Sequence, residues 1–243
     1  MKILVCITHV PDTTSKISFT DNDTKFDKTG VQFIIGPYDD YALARAMEIK
    51  EASGATVTVL NVGKAETEPT IRKALAIGAD DAIRVNAEPV DALFVANQIA
   101  AIAKENNYDM ILMGRESIDF NGGQVHAMVG EMLNIPSVSP VMQLDIEGTT
   151  AKMTKEIEGG KEYLEVEMPF VAGCQEPIAE WRIPNMRGIM TARSKPLNVV
   201  EPVSDDSATA VVKFELPPAK GAVKLVDTVE ELVDLLKNEA KVI

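Results

Sequence analysis

The chain is poor in the residues that build metal centres, disulfides and proton-transfer sites. Its 243 residues include only two histidines, His9 and His126, and two cysteines, Cys6 and Cys174. The cysteines lie far apart and match neither zinc nor redox spacing. Neither histidine has a Cys, His or carboxylate at ligand spacing, so no metal site is expected. Such cysteine usage suits a reduced, cytoplasmic protein. Basic residues are scarce too: 24 Lys and Arg stand against 37 Asp and Glu, a formal net charge of -13. A surface that negative repels phosphate backbones, which argues against nucleic acid; the one weak basic stretch is Arg187 to Lys195. Long apolar runs are missing. The opening "MKILVCITHVPDT" is apolar for too few residues to act as a signal peptide, and nothing approaches a membrane span, so a soluble protein is expected.

Common catalytic and nucleotide signatures are absent as well. There is no GxxxxGK(S/T), which excludes a P-loop, and no GxGxxG after the first strand. "THVPDT" follows that strand where an ATP pyrophosphatase carries a Ser- and Gly-rich loop. GxSxG is missing, so there is no nucleophile elbow. No triad or acid/base pair emerges, and no catalytic residue is assigned.

What is present is alternation. Strand patterns at Lys2–Ile7, "ATVTVLNVG", "DAIRVN" and "YDMILMG" are interleaved with helical patterns. These are a helix within "FIIGPYDDYALARAMEIKEASG", after a turn at Gly36-Pro37 and closed by Gly54, a helix opened by Glu68-Pro69 and closed by Gly78, and "VDALFVANQIAAIAKENN". The first ~130 residues therefore predict an α/β fold: an open, mostly parallel sheet with helices on both faces. After Pro140 the spacing predicts a small β meander, Met142–Ile146, Thr150–Ile157 and Lys161–Glu167. The stretch from Cys174 to Leu197 reads as irregular, and the remainder as an extended arm. A capped helix, with Thr228 at the cap and Glu231 three residues on, ends the arm. Two domains are expected: 1–197, which includes the meander, and 198–243.

Three short polar loops fall at strand carboxyl ends, where open α/β sheets bind ligands. They are Thr8–Thr13, Asn61–Glu66 and Gly114–Gln124. In the third, Asn121 to Gln124 precede a helix expected over Val125–Leu133, whose free N–H groups suit a phosphate. Gly122 and Gly123 are expected to supply positive φ there. A plain flexible connection explains the same loop, and His9 reads either as facing a ligand or as an ordinary loop histidine. Cys6 reads as a small buried hydrophobe.

The order of "KILVCITHVPDTTSKI", "RKALAIGADDAIRV", "DMILMGRESID", "KEIEGGKEYLEVEMP" and "RIPNMRGIMTARSKPL" resembles the beta subunit of electron transfer flavoproteins. The resemblance runs from Met1 to about Leu197, and the tail also fits. It implies a heterodimer with an alpha subunit, an FAD shared with and held mainly by alpha, and an adenine nucleotide in the beta subunit. That nucleotide is AMP in most members and a second FAD in the electron-bifurcating ones. Electrons would come from acyl-CoA dehydrogenases or related flavoenzymes, as in fatty acid beta-oxidation, and pass to a quinone reductase. By resemblance, Cys6, Thr8, His9, Thr13, Val62, Asn121, Gly122, Gly123 and Gln124 fall at the cofactor sites. Ile178, Glu180 and Trp181 fall in a loop that docks into the dehydrogenase, with exposed Ile178 and Trp181 as anchors; packing of Trp181 against the body is the other reading. The resemblance implies an electron-carrier subunit without substrate chemistry of its own. A freestanding adenine-nucleotide-binding regulator of the same α/β class is the competing hypothesis, and it leaves the meander, the docking stretch and the arm without a role.

Overall fold

The computed structural model describes residues 1–204 and 206–243. The first half runs β1 (Lys2–Cys6), β2 (His9–Pro11), β3 (Phe19–Thr20), β4 (Lys25–Phe26), β5 (Phe33–Ile35), α1 (Pro37–Ser53), β6 (Thr56–Val62), α2 (Glu68–Ile77), β7 (Asp81–Val85), α3 (Ala92–Asn106) and β8 (Met110–Gly114). The second runs α4 (Val125–Leu133), β9 (Ser137–Glu147), β10 (Thr150–Ile157), β11 (Gly160–Glu167), β12 (Phe170–Cys174), α5 (Met186–Ala192), β13 (Leu197–Val200) and α6 (Val229–Asp234).

The expected class holds: one nine-stranded sheet carries helices on both faces, in the order β11-β10-β9-β12-β8-β1-β6-β7-β13. Alternation along β1 assigns its faces. Ile3, Val5 and Ile7 pack into a core with Leu43 and Met47 of α1 and Ile71 and Leu75 of α2. Leu4 and Cys6 point the other way, to Phe94 and Ile99 of α3 and Val129 of α4. Helix ends follow local chemistry. Asp91 caps α3 by accepting from the Phe94 N–H at 2.8 Å, and Gly54 closes α1 in the left-handed region at φ 72°.

The meander is present as β9–β11, antiparallel neighbours in sequence order. The expectations fail at four places. β12 was not expected: it inserts parallel to both β8 and β9 and joins the meander to the main sheet. Its five residues, "FVAGC", are all buried, so they carry no alternation to mark them as a strand. β9 begins at Ser137, earlier than the pattern suggests. The stretch read as irregular contains α5, capped by the Asn185 side chain accepting from the Gly188 N–H at 2.8 Å. The start of the arm is β13, which pairs in parallel with β7.

Contacts divide the chain into two compact units. One comprises 1–18 and 27–211 and contains the whole nine-stranded sheet; the other comprises 19–26 and 212–243. The pairing of β13 thus keeps 198–211 with the sheet. Within the second unit, Phe19 and Phe214 stack with centroids 4.9 Å apart, and the Phe214 N–H donates to the Asp23 carbonyl at 2.7 Å. Thr228 caps α6 as expected, accepting from the Glu231 N–H at 3.2 Å, and the helix runs on into a π-helical turn, Leu235–Glu239.

Candidate functional site

The strand order reverses at β1. β6 and β7 lie on one side of it, and β8 lies on the other. Crevices at such a reversal, outside the carboxyl ends of the strands, are where open α/β sheets bind ligands. A cleft lies there. Its inner wall is apolar, made by Leu60 and Val62 of β6, Val95 and Ile99 of α3, and Met113 of β8. Its outer wall is polar, made by Thr8, Asp39, Arg115, Glu116, Ser117, Gly122 and His126. In this conformation its volume is about 60 Å³. The loop Gly114–Gln124 lines its outer side.

That outer loop is a miniature hairpin. Ser117 and Gly122 exchange two backbone hydrogen bonds, N–H to O at 3.0 and 3.2 Å, and Asp119 accepts from the Ser117 hydroxyl and the Phe120 N–H. The left-handed residue is Asn121, at φ 52°, and not Gly122 or Gly123 as expected. Asparagine tolerates that region because its short amide can bond locally. What glycine supplies at 123 is close approach: a Cβ there would lie 3.3 Å from the Arg115 carbonyl. The loop leads into α4, which starts at Val125 as expected and has no side-chain cap on its first turn. Its first amides are left to water or a ligand.

The residue that organises the cleft is Asp39, in the first turn of α1 and 3% exposed. Its carboxylate accepts from the Thr8 N–H at 2.8 Å, the Thr8 hydroxyl at 2.6 Å and the Gly114 N–H at 2.8 Å. It therefore ties together the carboxyl ends of β1 and β8. Burial raises its pKa to about 6, against the lowering effect of these donors. Arg115 is engaged from several directions: its guanidinium lies 4.8 Å over the Tyr38 ring, donates to Gln175 Oε1 at 2.9 Å and sits 3.5 Å from Glu116. Burial holds the His126 imidazole below its ordinary pKa, and its Nδ1 has no hydrogen-bond partner. Asp39, Arg115 and His126 were all missed as site residues. An acid in a first helical turn reads as dipole compensation, and its reach to two distant strand ends leaves no local pattern.

Of the residues assigned to the cofactors, the structure brings Cys6, Thr8, Val62 and Gly122 to the cleft. Asn121, Gly123 and Gln124 are exposed on the adjoining loop. His9 is elsewhere: it stacks on Phe33 at 4.4 Å and shares a 2.7 Å hydrogen bond with Thr70 Oγ1. Thr13 is exposed in the turn beyond β2. Burial raises the Cys6 thiol pKa, as the small-hydrophobe reading implies.

In the proposed docking stretch Glu180 and Trp181 are exposed, Trp181 at 55%. Ile178 is not the exposed anchor expected. It is 6% exposed and belongs to the core beneath α1, because the Gln175 carbonyl accepts its N–H at 3.0 Å in a tight turn that folds the side chain inward. The exposed aliphatic residue there is Ile183, at 76%, followed by Met186 and Met190.

Residues 23–205 match the electron transfer flavoprotein domain family. This chain belongs to the electron transfer flavoprotein family. It is 35% identical to an electron transfer flavoprotein subunit beta of Bacillus subtilis strain 168 over 259 aligned residues, covering all of both chains. It is also 35% identical to one of Syntrophomonas wolfei, covering all of this chain and 98% of that one. An acryloyl-CoA reductase electron transfer subunit gamma of Anaerotignum propionicum is 32% identical over 98% of this chain and 99% of that one. The chain is therefore of the beta-subunit type within a flavoprotein electron-transfer family, which implies an alpha-subunit partner. Among the described residues no helix is long and apolar enough to cross a membrane.

Proposed function

We propose that this chain is the beta subunit of a heterodimeric electron transfer flavoprotein, working in the cytoplasm and holding an adenine nucleotide in the cleft between β1, β6 and β8. The observation that carries the reading is the cleft itself. Leu60, Val62, Val95, Ile99 and Met113 offer a flat base an apolar slot, and the uncapped start of α4 lies at the polar end. The nucleotide in question is AMP.

The FAD shared with the alpha subunit supplies reversible electron storage, and protein groups position it and set its potential. The part of this chain is to hold the nucleotide, to cover the alpha subunit through the arm 212–243, and to present a docking face. Trp181 and Ile183 suit that face, since exposed aromatic and aliphatic anchors dominate interface energetics. Donors would be acyl-CoA dehydrogenases or related flavoenzymes and the acceptor a quinone reductase.

In a second reading, FAD replaces AMP in the cleft and the complex bifurcates electrons. The deciding experiment is a count of the ligands released on denaturing the chain co-purified with its alpha subunit. One FAD and one AMP per heterodimer support the carrier reading. Two FAD support the second, and a chain that stays monomeric beside alpha and binds no flavin would overturn both.

A further inference from the structure

Residues 181–185 alternate in exposure. Trp181, Ile183 and Asn185 are exposed, and Arg182 and Pro184 between them are half-buried. A period of two marks an extended chain with one side against the body and the other in solvent. Trp181 and Ile183, 55% and 76% exposed, share the outer side. Arg182 faces inward. Its guanidinium donates to Glu51 through both terminal nitrogens, Nη1 to Oε1 at 2.5 Å and Nη2 to Oε2 at 3.0 Å.

The segment lies between fixed points. Before it, the Tyr41 hydroxyl donates to Glu176 at 3.1 Å and Ile178 is buried in the core. After it, Asn185 caps α5, and Gly188 sets α5 so close to α2 that a Cβ there would collide with the Ala76 carbonyl. From Ala179 to Pro184, among the described residues, the Arg182–Glu51 pair is the only hydrogen bond or ion pair to the body. Glu51 in turn sits in the last turn of α1, where the helix dipole disfavours an acid. The charges near it are engaged elsewhere: Lys50 with Asp80 at 2.6 Å, and Glu48 with Arg45 at 2.5 Å. Arg182 is thus its one hydrogen-bonded partner, and chiefly for that reason the Glu51 carboxyl lies below the usual carboxylate range. Exposed ion pairs contribute little as a rule, but a two-pronged guanidinium–carboxylate contact is the stronger kind.

We propose that Arg182 is a positioning residue: clamped on Glu51, it holds 179–184 along α1 and aims Trp181 and Ile183 outward as one docking edge. The inference rests on the docking face proposed above.

Trp181 is the only tryptophan of the chain, so its fluorescence reports this segment directly. Time-resolved anisotropy of the full chain compares the unaltered protein with Arg182→Ala, Arg182→Lys, Glu51→Ala and the exchanged pair Glu51→Arg with Arg182→Glu. In the unaltered protein Trp181 should turn with the body. Both alanine variants should gain a fast component, with lysine between because it lacks the fork. The exchanged pair should lose that component again. Added salt should bring it out in the unaltered protein and leave the alanine variants unmoved.

Docking is read separately, on the heterodimer carrying FAD, from its reduction by an acyl-CoA dehydrogenase supplied with its acyl-CoA. In Arg182→Ala the KM for the heterodimer should rise about threefold to fivefold with kcat unchanged, and it should return in the exchanged pair. A purely structural role would lower the melting temperature and would not be rescued by the exchange. Unchanged anisotropy in both alanine variants, or no recovery in the exchanged pair, overturns the inference. A released Trp181 with an unaltered KM overturns the positioning role, and if Ile183→Ala also leaves KM unaltered, the docking face falls with it.

Discussion

At the residue scale, Asp39 shows how a group can organise a site at a cost to stability. Its carboxyl ionises near pH 6 in the folded chain against an ordinary value of 3.8, chiefly because it is buried. A raised carboxyl pKa means that the folded state holds the proton more tightly than the unfolded one. The stabilisation is complete below the unfolded value and is lost as pH rises through the folded one. The shift corresponds to about 3 kcal/mol between pH 4 and pH 7. Asparagine does not titrate, so the stability of Asp39→Asn relative to the unaltered chain should rise by that order over the same interval. Urea denaturation at the two pH values measures it, and parallel stabilities would show that Asp39 stays ionised throughout. The glycines around Asp39 make a second prediction. Gly114→Ala places a methyl against Asp39 Oδ1 and 2.7 Å from Tyr38 Cβ, so it should cost about 1–3 kcal/mol. Gly148→Ala, with nothing within 4 Å but a φ of 65°, should cost about 1 kcal/mol through backbone strain alone. Comparison of the two denaturation midpoints separates crowding from strain. Neither the role of Asp39 nor that of Gly114 is legible in the sequence, because each depends on a partner dozens of positions away.

At the element scale, legibility follows how each segment is buried. Helices α1 and α2 show their stop signals, Gly54 and Gly78, α3 and α4 were expected where they fall, and β1, β6, β7 and β8 sit among them as expected. β12 shows nothing, because a strand buried on both faces loses the alternation that marks a half-buried one. β13 is hidden for a different reason: it is itself the edge strand, and its four residues pair only with β7 and read as arm. The cleft was half legible. Its β1 and β6 residues and Gly122 were expected, whereas the contribution of α3 came from a face that reads simply as core. The loop supports one prediction. Gly123→Val brings a branched side chain against the Arg115 carbonyl, forcing the hairpin 117–122 outward. Under the nucleotide reading, Gly123→Val protein should retain its fold by circular dichroism and lose its bound nucleotide; full retention would place the ligand away from this loop. The docking stretch supports another. Ile178→Ala opens a cavity in the core and should cost about 2–5 kcal/mol. Ile183→Ala, at an exposed position, should change stability by no more than about 0.5 kcal/mol while slowing electron delivery from the dehydrogenase. Stopped-flow reduction beside thermal melting separates the two, and unaltered transfer in Ile183→Ala would remove that residue from the docking face.

At the scale of the whole molecule, the contrast is between a unit with its own core and a unit without one. Both hydrophobic clusters lie within 1–18 and 27–211. In 212–243, by contrast, α6 buries no residue, and Val212 and Leu225 are 84% and 88% exposed. Chains seldom keep so many apolar side chains in water unless a partner covers them. This much was legible from the sequence, where the arm has too few apolar residues at any one period to close on itself. Its partner is the alpha subunit under the proposed function, and the two units make that testable by truncation. A chain ending at Val211 retains every strand of the main sheet and both clusters, so it should keep its far-ultraviolet spectrum and melt cooperatively. It should nevertheless fail to co-elute with the alpha subunit at concentrations where the full chain pairs completely. The loss belongs to the arm only if the truncated chain stays folded, which is why melting and co-elution must be read on the same preparation. Undiminished pairing by a folded truncated chain would move the subunit interface onto the sheet-bearing unit and leave the exposed apolar residues of the arm to another partner.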